Sequence, residues 1–414
     1  MKILISAAEA SSDAHGAELL KALRFSSPQN SIDAYGIGGP KLRAAGLRGI
    51  VDARELLSMG FIEVLARLPR IFRALNLIES AAVRDRPDVA VVIDYPEFHI
   101  LLAKRLKRLG IPVIYYIPPK VWVWRKGRIA KLKKYFAKLI CIFPFEVPFY
   151  ENENISITYV GNPLIDELPM KMTRAEARLK LGLDKSAKTV VIMPGSRPAE
   201  LKQHLDVMLS SAVRAAAKLR SSGVLGAKER LCVLVPFSVT ADLVVLRERV
   251  QSWLNRASGQ TARLGETEKF ILDIRVFQGS APECMVAADA GLIKSGTSTL
   301  EAGLLGCPHS VVFRPNWVTT LIFRYLIRYR GPVGLVNLVA GSVKPYMVNE
   351  ILCEQVSEHS LCDEWITLLT DSAARSRLSE GFSQLRKQMM HFTESPSRLA
   401  AEQVIETARS ANSL

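Results

Sequence analysis

The sequence predicts an α/β protein with two doubly wound, Rossmann-like domains and a cleft between them. Short apolar segments alternate with longer segments of helical period, as in consecutive βαβ units. The apolar segments form two series, which the glycine- and proline-containing residues 159–163 separate. Residues 88–94 (DVAVVID) are apolar almost throughout, which is typical of a strand that is buried on both faces of a parallel sheet.

The first series follows the alternation from the first residues onward. Strands are expected at residues 2–7, 32–37, 88–94, 112–116 and 139–143. A polar loop at residues 9–13 should precede a helix that ends near residue 24, and further helices are expected at residues 60–83, 97–109 and 126–136.

The second series begins at the apolar run TVVIM. Strands are expected at residues 189–193, 231–235, 274–277, 290–293 and 310–313, with helices between them. Beyond residue 337 the pattern predicts helices to the end. The predicted domains are residues 1–163 and 164–389, and we expect the helices from about residue 390 to pack back on the first domain.

Composition limits the class of protein. A chain of 414 residues with 49% hydrophobic and 23% charged residues is long and apolar enough for two substantial cores. Its apolar start is too short for a signal peptide and no run reaches the length of a membrane span, so we expect a cytoplasmic protein. Six scattered cysteines without a C-x-x-C motif predict reduced thiols and no zinc site.

The net charge of +15 predicts an anionic partner. Nucleic acid, an anionic membrane surface and phosphorylated substrates all meet this description. No RRM, zinc-finger or similar motif is present, so we expect no nucleic-acid partner and favour the other two.

Residues 290–308 (AGLIKSGTSTLEAGLLGCP) predict an anion site. A short strand ends at Lys294, a turn follows through Gly296 and Thr297, and a helix begins. The first N–H groups of a helix have no intrahelical partner, and the helix dipole adds positive charge there. Gly296 would let the backbone approach a ligand closely, and Lys294 would add a full charge.

The same stretch also fits a plain helix cap. Ser298 and Glu301 have the S-x-x-E spacing of a capping box. In the alternative, Glu301 lies one turn into the helix and faces the ligand on its polar side. The segment alone is compatible with both interpretations.

Residues 193–201 (MPGSRPAEL) follow the first strand of the second series. Pro198 suits the first position of a helix, which leaves Arg197 extended beside the helix start. A cation is unfavourable at a positive helix end unless an anion lies there. The pattern therefore favours a bound phosphate, with a surface pair between Arg197 and Glu200 as the alternative.

Asp94 follows a buried strand, at the end where open α/β sheets bind their ligands. Pro96 makes the chain turn sharply before the next helix. A carboxylate there can act as a general base on a hydroxyl, and it can equally be a helix cap or the partner of an arginine. His15 and His99 are the rival bases.

Three segments mix apolar or aromatic residues with cations: residues 65–77, 115–128 and 321–330. In the first and third the spacing is helical. This favours docking on a membrane surface through side chains such as Ile71, Phe72, Leu75 and Phe323, with packing of these faces inside the protein as the alternative. The second contains a tryptophan pair and is compatible with a sugar or acyl site, a lipid-headgroup contact or packing between domains.

A set of motifs, taken in order, resembles the lipid-A-disaccharide synthase family, glycosyltransferases of the GT-B architecture. The order, spacing and joint presence of the pieces are specific, although no single piece is. They are AEASSDAHG (8–16), GIGGPKLRAAG (36–46), LLSMGFIEVL (56–65), VIDYPEF (92–98), YYIPPKVWVWR (115–125), FPFE (143–146), MPGSRPAE (193–200), KSGTSTLE (294–301) and VNLVAG (336–341).

The resemblance implies an inverting transfer of 2,3-diacylglucosamine from UDP to 2,3-diacylglucosamine 1-phosphate, without metal or other cofactor. It implies catalytic roles for Asp94 and Arg197. It implies substrate contacts for Glu9, Ser11, Glu301 and Asn337. The anion-site pattern adds Lys294, Gly296, Thr297 and Ser298, which we expect to contact the donor pyrophosphate. The first domain should bind the acceptor, the second the donor, and the protein should attach to the inner face of the inner membrane.

Several residues depart from the family pattern. Ala8 and Ser12 replace the two glycines of its first loop, and Pro118, Lys120 and Val336 replace other typical residues. These departures bear on the acceptor more than on the reaction. A UDP-N-acetylglucosamine 2-epimerase-like enzyme, another GT-B transferase and a non-catalytic membrane scaffold are the alternative functions.

Overall fold

A computed structural model describes residues 1–27, 31–53, 56, 61–119, 127–237, 243–261, 271–315, 331–390 and 393–412. Residues 10, 61–68, 243–246 and 257–261 are described by their backbone alone. The chain divides into two compact units, of which the first contains residues 1–166 and 389–414 and the second contains residues 167–388. Each unit has one parallel β-sheet.

The first unit is built on a sheet of seven strands among the described residues. They are β1 (Lys2–Ala7), β2 (Asp33–Gly38), β3 (Arg48–Asp52), β4 (Val89–Ile93), β5 (Val113–Tyr116), β6 (Lys138–Cys141) and β7 (Ile157–Tyr159). Their order is β3-β2-β1-β4-β5-β6-β7, the doubly wound arrangement.

Helices connect these strands. They are α1 (Ala10–Ser26), α2 (Pro40–Ala44), α3 (Phe61–Asp85), α4 (Pro96–Arg108), α5 (Gly127–Tyr135) and α6 (Glu146–Glu151), and α7 (Leu164–Glu167) lies at the boundary of the units. β4 is fully buried because helices cover both faces of the sheet, as its apolar run predicts.

The second unit repeats the architecture with β8 (Thr189–Met193), β9 (Leu231–Phe237), β10 (Leu272–Gln278), β11 (Ala290–Lys294), β12 (His309–Phe313) and β13 (Glu350–Leu352). Their order is β10-β9-β8-β11-β12-β13, and every neighbouring pair is parallel.

Its helices are α8 (Arg174–Lys180), α9 (Pro198–Ser221), α10 (Leu243–Thr261), α11 (Ala281–Ala287), α12 (Thr297–Leu305), α13 (Leu335–Val339), α14 (Glu358–Thr370) and α15 (Ser372–Met389). The chain then re-enters the first unit as α16 (Pro396–Asn412), which packs on α1. Lys138 on β6 bonds to Gln403 of this helix at 2.5 Å.

The order of strands reverses at one point in each sheet. In the first unit this point lies between β1 and β4, and in the second between β8 and β11. Successive helices leave such a point on opposite faces, so a crevice opens at the carboxyl ends of the two strands. Asp94 follows β4, Arg197 follows β8 by four residues, and Gly296 follows β11.

Three local predictions are wrong. The expected loop at residues 9–13 is mostly helix, because α1 begins at Ala10. The expected all-helical end contains the edge strand β13. The short strands β3 and β7 were not expected, since their alternation of apolar and polar residues is weak.

Some of the predicted sites lie outside the described residues. They are the tryptophan pair, Lys120 and residues 321–330, including Phe323.

Candidate functional site

The backbone turns abruptly at Asp94. Asp94 and Tyr95 both have positive φ values, 55° and 47°, before Pro96 starts α4. Non-glycine residues adopt this left-handed conformation at a cost, so two in succession require local support. The carbonyl oxygen of Asp94 accepts hydrogen bonds from the Tyr115 hydroxyl at 2.9 Å and from His99 Nδ1 at 2.5 Å. These two bonds hold the turn.

Both ring nitrogens of His99 are engaged in hydrogen bonds that support the turn. It has no exposed surface, and its Nε2 lies 2.8 Å from the Ser6 hydroxyl on β1. Burial lowers the pKa of His99 to about 4, against a smaller raising effect of the bond to Asp94, so the ring is neutral near pH 7. Nδ1 then carries the proton and Nε2 accepts from Ser6. His99 is therefore excluded as the base.

The Asp94 side chain is partly exposed. Its Oδ1 accepts a hydrogen bond from the Tyr95 N–H at 2.9 Å. His15 on α1 and Lys41 on α2 lie close enough to act on the same space. Burial lowers the pKa of His15, the Asp94 charge raises it and the Lys41 charge lowers it. The crevice at β1 and β4 thus contains a carboxylate, an imidazole and a cation.

Glu9 and Ser11 lie at the start of α1, beside Asp94's strand. Glu9 is the N-cap residue and Ser11 is exposed in the first turn. The Ser12 hydroxyl accepts from the Glu9 N–H at 2.8 Å and donates to the Glu9 carbonyl at 2.9 Å. Ser12, which replaces one of the family's glycines, therefore closes the first helical turn. Ala8, which replaces the other glycine, is buried in the core. The substrate contacts of Glu9 and Ser11 stay predictions.

The start of α2 is already occupied by a protein carboxylate. Asp13 accepts hydrogen bonds from the N–H groups of Gly39, Lys41 and Leu42 at 2.7–3.1 Å. A side chain at Gly39 would meet this carboxylate, since a Cβ there would lie 2.7 Å from it. This helix start therefore does not offer its N–H groups to a ligand.

In the second unit, Arg197 is the exposed N-cap residue of α9. Its guanidinium makes no hydrogen bond or ion pair with any residue that the structure describes. Glu200 accepts from the N–H groups of Ser196 and Arg197, at 3.0 and 3.3 Å. The carboxylate thus caps the backbone and leaves the Arg197 side chain available, so the alternative of an Arg197–Glu200 surface pair is wrong.

Lys294 is the cation that pairs with Glu200, at 2.9 Å. Burial of Glu200 opposes ionisation, but the Lys294 bond and charge and the backbone donors hold its pKa below the usual value. The ion pair joins the last residue of β11 to the first turn of α9. Because Glu200 neutralises its charge, Lys294 fixes these two segments relative to each other, and its predicted phosphate contact stays a prediction.

Among the described residues, no side chain caps the start of α12. Gly296 is its N-cap residue, which makes Ser298 the second helical residue, so the capping-box alternative is wrong. Thr297 is exposed and Ser298 is half-buried. Gly296 has extended backbone, and a Cβ there would meet only the Lys294 carbonyl, at 3.9 Å. The surroundings of Gly296 itself are therefore open.

Glu301 lies one turn further along α12. Burial, together with a smaller effect of the Glu167 charge, raises the pKa of this carboxyl to about 7. No hydrogen bond to Glu301 occurs within the described ranges. A partly buried carboxyl without a protein partner is costly unless a ligand supplies donors such as sugar hydroxyls.

Asn337 is buried inside the protein, whereas a residue that contacts a ligand is expected at an accessible surface. It has no exposed surface, and its amide bonds to both the N–H and the carbonyl of Val348, at 2.9 and 2.8 Å. It also donates to Glu350, which accepts from the N–H groups of Val333 and Gly334 at the start of α13. Asn337 orients this helix start, and its substrate contact stays a prediction.

The structure brings the predicted residues into two groups, one at each sheet reversal. Sequence reasoning missed the supporting roles of Tyr115, His99 and Glu200 and the position of Lys41. Lys41 stands in a quoted motif, and Glu200 stands three residues after Arg197, so both had a local signal. Across the described ranges, no three His, Cys, Asp or Glu side chains form a metal-binding group.

Comparison with known proteins gives a consistent result. A family model described as lipid-A-disaccharide synthetase matches residues 3–405. The lipid-A-disaccharide synthase of Myxococcus xanthus (strain DK1622) is 37% identical over 405 residues, which cover 98% of this chain and 97% of the relative.

Two solved structures share the fold. MurG of Acinetobacter baumannii has a TM-score of 0.54 at 14% identity and covers 98% of this chain and 99% of its own. The UDP-GlcNAc 2-epimerase of Neisseria meningitidis, bound to UDP-GlcNAc, has a TM-score of 0.58 at 11% identity and covers 98% and 100%. Identities this low bear on the fold alone, and they confirm the predicted GT-B-like class of two Rossmann-like domains.

We expect the variant Tyr115→Phe to lower thermal stability. It removes one of two donors to the Asp94 carbonyl, a buried bond whose loss costs about 1–2 kcal/mol. Tyr35→Phe is the matched control, because the buried Tyr35 hydroxyl has no partner among the described residues. Thermal melts should show a fall of a few degrees for Tyr115→Phe alone. Equal melting temperatures of the two variants would contradict the support of the turn.

We expect Glu301→Gln to stabilise the ligand-free protein increasingly as pH rises. The folded pKa of Glu301, about 7, exceeds the usual 4.5, so ionisation costs stability between these values and the full cost persists above them. The gain in melting temperature should be small at pH 4.5 and largest at pH 8. Glu380→Gln, at an exposed position of α15, is the control. A pH-independent difference would contradict the assignment.

Proposed function

Since the chain belongs to the lipid-A-disaccharide synthase family, we propose that it joins two acylated glucosamines into a β-1,6 disaccharide. The donor is UDP-2,3-diacylglucosamine, the acceptor is 2,3-diacylglucosamine 1-phosphate, and UDP leaves. One observation carries the proposal. A carboxylate follows β4 at one sheet reversal, and at the other lie a helix start and an arginine to which no described side chain bonds.

The second unit binds the donor. The N–H groups of Thr297 and Ser298 and the Arg197 guanidinium face the pyrophosphate, and Glu301 accepts hydrogen bonds from the ribose hydroxyls. Lys294 and Glu200 hold the end of β11 against the first turn of α9 through their ion pair. Negative charge grows on UDP as it leaves, so fixed donors and positive charge stabilise the transition state more than the ground state.

The first unit binds the acceptor, and Asp94 removes the proton from its 6-hydroxyl. The left-handed turn supports this role, because it directs a carboxylate outward at the end of a buried strand. Lys41 lies near the same crevice and offers a charge to the acceptor's 1-phosphate. The space beside Ser11 and Glu9 accommodates further polar groups of the sugar.

The reaction is a single displacement. The 6-oxygen of the acceptor forms a bond to C1 of the donor sugar while the bond from C1 to the UDP oxygen breaks. Asp94 takes the hydroxyl proton, and the electron pair of the broken bond leaves with UDP. One carboxylate is sufficient for this inversion, whereas retention requires a second group as nucleophile. None of these steps requires a group beyond the chain's own residues.

The test is a product assay. We expect incubation with both diacyl sugars to yield a disaccharide phosphate and UDP, detected by mass. Omitting the acceptor should abolish UDP release. Conversion of UDP-N-acetylglucosamine to its 2-epimer without an acceptor would instead support the epimerase alternative.

We expect Asp94→Asn to lower turnover by roughly 10²–10⁴-fold, because the amide keeps the size of the side chain but cannot accept the proton. The measurement is kcat in the product assay, with UDP affinity and the melting temperature of the same variant as controls. Both controls should stay near wild type. Turnover within a few-fold of wild type would contradict the role of Asp94 and leave His15 as the candidate base.

We further propose that the protein attaches peripherally to the anionic inner face of the inner membrane, where lipid substrates reside. No helix in the described ranges has the length and apolarity to cross a bilayer. Phe72 on α3 is 49% exposed, and Arg70 and Arg73 beside it are exposed as well. The expectation for Leu75 is wrong, because this side chain lies in the core with no exposed surface.

We expect Phe72→Ser to reduce binding to vesicles that contain phosphatidylglycerol by about fivefold, since roughly half of one phenylalanine is available to insert. High salt should release part of the wild-type protein, because it screens the attraction to anionic lipid. Sedimentation measures both effects. Leu179→Ser removes an 80% exposed apolar residue of α8 and should change nothing. Equal loss in both variants would contradict a docking face on α3.

A further inference from the structure

A second cavity lies in the second unit, away from the donor site. Its volume is about 770 Å³, within the range of pockets that bind small molecules. Lys188, Asp289 and Pro308, which line it, immediately precede β8, β11 and β12. The donor-site loops follow the opposite, carboxyl ends of β8 and β11. A five-residue strand spans about 16 Å, so the two places are separate.

Cations from three different elements line this cavity. Arg174 comes from α8, Lys188 from the residue before β8, and Arg375 from α15. Arg174 and Arg375 border the same cavity although they come from helices that are far apart in the sequence. Among the described residues that line the cavity, Asp289 is the single carboxylate.

Asp289 cannot neutralise all of these cations, because its oxygens are already used. One oxygen accepts from Arg174, and the other accepts from Arg178 at 3.3 Å and from the Thr189 N–H at 2.9 Å. Among the described residues, Lys188 and Arg375 have no acidic partner, and Arg375 makes only a 3.2 Å bond to the Leu368 carbonyl. The cavity therefore keeps a positive charge that the protein does not balance.

The remaining lining residues suit a ligand with both polar and apolar parts. Ser372, Ser376 and Ser379 are exposed on one face of α15 and offer hydroxyl groups. Met172, Val286, Leu305 and Leu369 provide apolar surface. Hydroxyls and cations together are the donors that phosphate oxygens require.

We propose that this cavity binds the phosphate or pyrophosphate group of a small molecule, at a site distinct from that of the donor. Lys188 and Arg375 hold the anion, and Arg174 contributes from its pair with Asp289. A ligand here contacts α15 and the loops before β8, β11 and β12. The loops of the proposed donor site follow the opposite ends of β8 and β11. A phosphorylated compound bound in this cavity can therefore influence the donor site through these strands.

The probe is inorganic pyrophosphate, added to protein that is saturated with UDP so that the donor site is filled. We expect pyrophosphate to raise the melting temperature of the wild type by a few degrees. The double variant Lys188→Gln with Arg375→Gln should weaken pyrophosphate binding about tenfold, measured by calorimetry, and should bind UDP as wild type does. Single Lys188→Gln, which removes no protein contact seen in the described structure, should show a smaller loss in the same direction.

Two controls distinguish binding in this cavity from a general attraction of pyrophosphate to the positively charged protein. Arg377→Gln with Lys387→Gln removes the same charge from exposed positions of α15 and should bind pyrophosphate as wild type does. Arg197→Ala should lose UDP affinity and keep the pyrophosphate response. Equal loss in both double variants, or none in the Lys188 and Arg375 pair, overturns the proposal. The proposal is also overturned if the Lys188 and Arg375 double variant loses only its binding to phosphatidylglycerol vesicles, since the bound anion would then be a lipid phosphate.

Discussion

The reversal of strand order within each sheet is the constraint from which both candidate sites follow. At β1 and β4, and again at β8 and β11, neighbouring parallel strands send their next helices to opposite faces. Polar residues that follow such strands can project into an open crevice instead of packing beneath a helix. This is why Asp94 and Arg197, which follow β4 and β8, are candidates for chemical roles.

The starts of four helices differ in what the protein itself places there, and this difference favours a ligand at α12. Asp13 accepts from N–H groups at the start of α2. Glu200 accepts from the N–H groups of Ser196 and Arg197, just before α9, and Glu350 from those of Val333 and Gly334, just before α13. Within the described ranges, no side-chain carboxylate bonds to the backbone at the start of α12. The N–H groups of its first turn are therefore the ones most suited to an anionic ligand.

How far the sequence predicts the molecule depends on the range of the interactions. Continuous apolar runs such as β4 and β8 are local signals, and so are the polar residues that end them. The edge strand β13 has only three residues, and its pairing with β12 gives it no pattern of its own. The Lys294–Glu200 pair joins residues 94 positions apart, and the bond from Ser6 to His99 joins residues 93 apart. No local pattern contains such pairs, so Lys294 was predicted as a ligand contact and His99 as a rival base.

Burial gives the two sites opposite responses to pH. The pKa of His99 lies near 4 in the folded chain and near 6.5 when exposed, so the unfolded chain binds more protons between these values. His99 therefore lowers stability as pH falls through that window. Glu301, with its raised pKa, lowers stability as pH rises through 4.5 to 7. The turn that carries Asp94 thus requires a neutral histidine, whereas the carboxyl on α12 is least costly when protonated.

Since ribose hydroxyls bind best to an ionised carboxylate, donor binding should lower the pKa of Glu301 and release a proton. If donor binding releases this proton, the ligand offsets the cost that Glu301 imposes on the ligand-free protein.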